Sequence, residues 1–344
     1  MYRLVFIFLT IAVSGLTLAG RTALAPKEKL SEYGFFAGNP ADQIPVAGVT
    51  PYALNTPLFS DYAEKLRFVQ LPQGQTVAYN STDVLDFPVG TTLIKTFYFP
   101  NDFRNPAKGR RLLETRLLVH ETAGWKALGY VWNEAQTEAF LDVAGETKDV
   151  SYVDADGKKR KHAYTIPNLN QCKGCHNRAE KLVPIGPSVQ QLNGELSYGS
   201  KTENQLTHWK NEGLLTGLPA LADCPKTPVW NRPETGSLEL RARAWLDINC
   251  AHCHNPSGPA MTSGLNLSSD ETAPATLGVL KTPVAAGRGS GGRQFDIVPG
   301  KPDASILLYR LESTDPGIMM PEVGRKTTHR EGVELIRDWI KSLK

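Results

Sequence analysis

The chain has little charge of either sign in excess and few of the residues that staple a small fold. Its 38 Lys and Arg against 35 Asp and Glu leave a formal net charge of +3, too small an excess to point to nucleic-acid binding. Only 5 cysteines occur in 344 residues, which excludes a disulfide-rich scaffold. Beyond roughly the first 25 residues no apolar run is long enough to span a bilayer. Hydrophobic residues make up 41% and charged residues 21%, so neither disorder nor a fibrous repeat fits, and the length suggests about two domains. With 4 methionines and 7 histidines, few side chains are available as soft or imidazole ligands.

Residues 1–25 read as a secretory signal. Arg3 supplies the positive start, residues 4–18 the apolar stretch, and small residues follow. Cleavage after Ala19 places Thr17 at the −3 position; Ala23-Leu24-Ala25 also fits the small-x-small rule but sets Pro26 just after the cut. An uncleaved anchor is the alternative reading. The mature chain is expected in the periplasm or secreted, with no membrane span after signal cleavage.

Four of the five cysteines fall into one repeated pattern. Cys172-Lys173-Gly174-Cys175-His176 and Cys250-Ala251-His252-Cys253-His254 both read C-x-x-C-H, the attachment signature of c-type haem. Two thiols on one helical turn can each add to a haem vinyl group, and the next residue presents its imidazole to the iron. Composition alone would give roughly 0.0015 such motifs in a chain of this length. A zinc site is the competing use of four cysteines, but paired C-x2-C motifs usually lie about 15 to 20 residues apart. Here the gap is 75 residues (250 − 175). A thioredoxin-like pair needs no histidine directly after it, and a disulfide across C-x-x-C is strained. Two covalently bound haems are therefore the expected cofactors, with Cys172, Cys175, Cys250 and Cys253 as attachment residues and His176 and His254 as proximal iron ligands. Cys224 is left over, as a buried thiol or as half of an intermolecular disulfide.

The second iron has a clear candidate for its distal position. Met320, directly before Pro321, lies 66 residues (320 − 254) after His254, and a thioether raises the potential of the iron it binds. Met319 is the alternative. No methionine lies between His176 and the proline-rich stretch that follows, so the first iron has a histidine, a more distant residue or nothing across from His176. His208, 32 residues (208 − 176) further on, is the named candidate, against a plain surface histidine beside Trp209. His120 and His162 read as surface residues.

Period-two alternation and turn residues run from about residue 48 to 165. Strands are expected at 92–99, 112–119, 125–132 and 138–143, with the basic run 158–162 flanking an Asp-Gly hairpin turn. After Pro167 the pattern changes, with helices expected at 206–215, 238–249 and 331–343. The organisation expected is a signal peptide (1–25), a β-rich domain (26–166), a first haem-binding segment (167–219), a proline-rich linker (220–236) and a cytochrome c-type domain (237–344). The fold class expected is α+β and multidomain, an N-terminal antiparallel β-domain followed by mainly α cytochrome c-type haem domains.

Residues 52–65 (YALNTPLFSDYAEK), 87–91 (FPVGT) and 168–176 (NLNQCKGCH) resemble a family of bacterial exported dihaem c-type cytochromes of uncharacterised function. The resemblance covers nearly the whole mature chain. It implies electron transfer outside the cytoplasm to or from a redox partner, a quinoprotein dehydrogenase or a terminal oxidase or reductase. A weaker similarity links Pro88-Val89-Gly90, Leu93-Ile94-Lys95 and the first C-x-x-C-H to cytochrome P460, which implies a five-coordinate haem cross-linked to a lysine, here Lys95 by position. Two functions follow as expectations: a dihaem electron carrier, or a haem enzyme of peroxidase-like or P460-like chemistry at an open first iron.

Overall fold

The computed structural model describes residues 25–344. The signal expected over 1–25 lies, save its last residue, outside the described residues. Among the described residues up to 166, alternating apolar and polar residues build nine strands: β1 (Val49–Pro51), β2 (Glu64–Gln70), β3 (Val77–Ala78), β4 (Thr92–Pro100), β5 (Arg110–Glu121), β6 (Gly124–Trp132), β7 (Ala139–Leu141), β8 (Glu146–Val153) and β9 (Lys159–Ile166). Six of them form one antiparallel sheet in the order β1-β2-β4-β5-β6-β7. β8 and β9 form a separate hairpin. The Asp-Gly turn between them is closed by Gly157 at φ 81°, a conformation that favours glycine.

Because side chains alternate across a strand, the large sheet has two unlike faces. One carries Phe68, Ile94, Leu117, Leu128, Tyr130 and Trp132, covered by Leu30 and Phe35 from the segment before β1. The other carries Val69 and Leu93, which pack on Leu206, Trp209 and Leu215, and Phe97 and Phe99, which pack on Tyr164 and Ile166 of β9. Residues 167–219 therefore share a core with the sheet, and Leu215–Thr216 pairs in parallel with β3.

The helices are α1 (Leu169–Cys175), α2 (Val189–Leu192), α3 (Gln205–Asn211), α4 (Leu238–Leu246), α5 (Ile306–Glu312) and α6 (Arg330–Ser342). This corrects the expected fold class. The described residues form a mainly antiparallel β fold, one six-stranded sheet with several two-stranded ones and six short helices, and the second half does not fold as mainly α cytochrome c-type domains. Between α4 and α5 the chain holds only a π-helical turn, three short 3-10 turns and loops. The reason is composition: Pro256, Gly258, Pro259, Gly264, Pro274, Gly278, Pro283 and Gly287 interrupt any helical run. The three C-terminal helices still share a core, in which Trp245 and Leu246 of α4 meet Leu308 and Leu311 of α5 and Ile336, Trp339 and Ile340 of α6.

Residues 52–65 lie along the seam between the sheet and everything after it. Ala53 N donates to Gln205 Oε1 (2.7 Å), and Asn55 Nδ2 reaches the carbonyls of Gln190, Asn193 and Thr227 (3.2, 3.1 and 3.0 Å). Thr56 Oγ1 donates to Pro228 O (2.6 Å), and Phe59 N donates to Asn249 Oδ1 (2.9 Å).

Candidate haem-attachment sites

Helix α1 starts from a reciprocal cap. Gln171 N donates to Asn168 Oδ1 (3.0 Å), and Asn168 N donates to Gln171 Oε1 (2.9 Å), which satisfies two otherwise unpaired amides. The helix carries Cys172 and Cys175 one turn apart and ends at His176. His176 Nδ1 lies 2.8 Å from Val183 O. A carbonyl can only accept, so Nδ1 holds the proton and Nε2 keeps its lone pair. Burial, reinforced by Lys95, pushes the His176 pKa down to about 3, so the ring is neutral, as a metal ligand must be.

The second motif is built differently. Helix α4, expected to reach residue 249, stops at Leu246 and widens into a π-helical turn, Asp247–Ala251, that holds the buried Cys250. Such turns are frequent at functional sites. His254 Nδ1 lies 3.0 Å from Ser263 Oγ, whose own proton goes to Ala260 O (2.7 Å). Ser263 therefore accepts from His254, and Nε2 again keeps its lone pair. Burial pushes the His254 pKa down to about 4. The two motifs touch, with Cys253 Sγ lying 3.9 Å from Gly174 O. Cys253 and His252 lie beside the Cys175 thiol and hold its pKa below the ordinary value.

A cleft of about 1940 Å³, open solvent included, runs past the first motif. Its lining falls into two groups. Cys172, Cys175 and His176 share it with the sheet residues Arg67, Leu93, Lys95, Phe97, Arg116 and Leu118. Ile248 and Asn249, beyond the end of α4, and Val333 of α6 share it with Met319, Met320 and His329. Cys250, Cys253 and His254 do not line it.

The methionine loop is held by its backbone. Met320 N donates to Arg310 O (3.0 Å), and Arg325 Nη2 donates to the carbonyls of Met320 (2.8 Å), Arg310 (3.1 Å) and Ser313 (2.9 Å). Asp61 locks the next residues, accepting from Lys326 N, Thr327 N and Thr327 Oγ1, each at 2.8 Å.

The other histidines are committed elsewhere. His208 on α3 stacks on Tyr198 with ring centroids 3.4 Å apart, sets Nδ1 2.9 Å from Glu203 Oε1, and does not line the cleft. His120 stacks on Trp125 and sets Nδ1 2.7 Å from Phe87 O. His162, expected at the surface, is half-buried beside Phe99, with Nε2 3.5 Å from Asp61. His329 does line the cleft, stacked on Phe59 at 4.2 Å, but its Nδ1 accepts from Trp245 Nε1 (3.1 Å). Its proton therefore sits on Nε2, the opposite arrangement to His176 and His254. Burial lowers its pKa to about 4. Cys224 is buried in the core shared with the sheet, its thiol 3.6 Å from Ala220 O.

Lys95 faces the cleft, and burial together with Arg67 and Arg116 pulls its ammonium well below its ordinary pKa. No local pattern in the sequence singles out Arg67 and Arg116. Alternation alone puts each on one strand face, and only the pairing register makes them neighbours. Among the described residues no group of three or more His, Cys, Asp or Glu is placed to hold a bare metal ion. Haem iron needs no such group, since the macrocycle fills four positions and the protein one or two. Comparison with protein-family models, with curated proteins and with solved structures finds no match for this chain.

Proposed function

We propose that the chain is an exported dihaem c-type cytochrome that passes electrons between redox partners outside the cytoplasm. The observation that carries the reading is the matched state of the two motif histidines: each gives its Nδ1 proton to a neighbour and keeps Nε2 free. That is how a haem-binding histidine is oriented and made a better donor. Cys172 and Cys175 would hold one haem and Cys250 and Cys253 the other, with His176 and His254 as proximal ligands. The haems would supply one-electron chemistry at iron.

The chain's own residues supply position and environment. Val183 and Ser263 fix the two imidazoles, and Arg325 fixes the backbone of Met320, which would offer its thioether to the second haem. The contact between Cys253 and Gly174 brings the two attachment sites together, which suits transfer between them. The donor fits a quinoprotein dehydrogenase and the acceptor a terminal oxidase or reductase, in keeping with the family resemblance and with the leader read over residues 1–25.

A second reading, a haem enzyme working at an open first iron, is favoured by one observation. The sheet wall that shares the cleft with His176 offers Arg67, Lys95, Phe97 and Arg116, while His208 does not line the cleft. The absorption spectrum of the dithionite-reduced holoprotein, with and without carbon monoxide, separates the two. An unchanged spectrum supports a carrier with both irons six-coordinate; a change in half of the haem supports the enzyme.

A further inference from the structure

β2, β4 and β5 are neighbours, and their register sets Arg67 opposite Lys95 and Lys95 opposite Arg116. Three basic side chains thus form a row across the sheet, on the face that lines the cleft with Cys172, Cys175 and His176. Like charges directly opposite on adjacent strands destabilise a sheet, and burying a cation without an acceptor is costly. The protein answers only part of this charge. Glu114 grips Arg116 with two bonds of 2.5 and 2.6 Å. The Phe97 ring lies 4.4 Å from the Arg116 guanidinium carbon and 4.8 Å from Lys95 Nζ. Lys65, beside the row, donates to Leu58 O (3.0 Å). The nearby Asp61 is taken up by Lys326 and Thr327. Arg67 is only 7% exposed, yet among the described residues neither its guanidinium nor the Lys95 ammonium has a carboxylate or carbonyl to donate to.

We propose that Arg67, Lys95 and Arg116 form a receptor for a carboxylate or small oxyanion in the cleft beside the first haem-attachment motif. Guanidinium and ammonium groups in a row match the paired oxygens of such a ligand. Two sources supply the chemistry: the carboxylates of the haem that Cys172 and Cys175 would carry, or a free oxyanion entering the cleft. The proposal rests on the haem reading only for the first source.

The test uses the purified full-length holoprotein, Arg67→Gln and Lys95→Gln, with Lys95→Met as a second variant. Thermal melting checks that each is folded, and a pyridine haemochrome measures haem in each. Calorimetric titration with sodium nitrite, run with excess imidazole to occupy any open iron, reads anion binding at the row whether or not haem is attached. If the source is a free oxyanion, nitrite binds the wild type saturably and at least tenfold more weakly to the variants. If the source is the haem carboxylates, nitrite does not bind. The variants then lower one of the two midpoint potentials by at least a tenfold change in the reduction equilibrium, about 59 mV for one electron. Folded variants that match the wild type in nitrite binding and in both midpoints overturn the receptor. A wild type without haem fails the attachment reading, and nitrite binding alone then decides the receptor.

Discussion

Asp61 shows how much one buried carboxylate can organise. It sits at φ 51° and is 4% exposed, and it accepts from Lys326 and Thr327 across 265 and 266 residues of sequence. Burial raises its pKa, but the His162 ring 3.5 Å away and the hydrogen bonds from Thr327 and Lys326 outweigh that, and the net shift is downward. A carboxyl with a depressed folded pKa contributes stability that is complete above its unfolded value of about 3.9 and is lost as pH falls through the folded value. Asn tolerates the same backbone conformation, so Asp61→Asn removes the charge without adding strain. We expect it to lower the unfolding free energy by about 2–3 kcal/mol at neutral pH, since hydrogen bonds to charged groups contribute about that much. Urea denaturation measures this, and the variant should also lose part of the acid dependence below about pH 4.

What is local is visible in the sequence: each C-x-x-C-H pattern occupies only five consecutive positions. The partners that fix their imidazoles, Val183 O and Ser263 Oγ, could not be read that way, because they come from turns whose path depends on packing. Asp61 stood inside a run singled out only for its resemblance, and its partners lie at the other end of the chain.

At the scale of elements, strands were read more securely than helices. The expected strands 92–99, 112–119 and 125–132 correspond to Thr92–Pro100, Arg110–Glu121 and Gly124–Trp132, because alternation is a strong signal when one face is buried. The helix expected over 331–343 corresponds to Arg330–Ser342. The one expected over 238–249 ends at 246, where the backbone widens ahead of Cys250, a change that apolar spacing does not encode. The mainly α second half that was expected does not form for a plainer reason: two amphipathic helices are legible, but glycine and proline break the chain between them.

The loop between α5 and α6 carries its own prediction. Arg325 and Arg310 hold the Met320 backbone, so shortening the side chain should leave the loop in place and remove only the thioether. Met320→Ala is expected to lower one midpoint potential by roughly 100 mV or more, in line with the range over which axial ligands tune haem. A redox titration that finds both midpoints unchanged removes Met320 as a ligand.

At the scale of the whole molecule, the sheet and the C-terminal core are joined by the 52–65 seam and by the contact between the two motifs. That arrangement sets four thiols in two matched sets, close together, beside two neutral imidazoles with free Nε2 atoms. The most direct test of the account is to count covalent haem. The mature protein would be produced with a c-type haem maturation system, stripped of loosely bound haem with acidified acetone, and assayed by pyridine haemochrome and intact mass. The account predicts two haems per chain, falling to one in Cys172→Ser/Cys175→Ser and to one in Cys250→Ser/Cys253→Ser. A wild-type chain that retains no haem after extraction would contradict it.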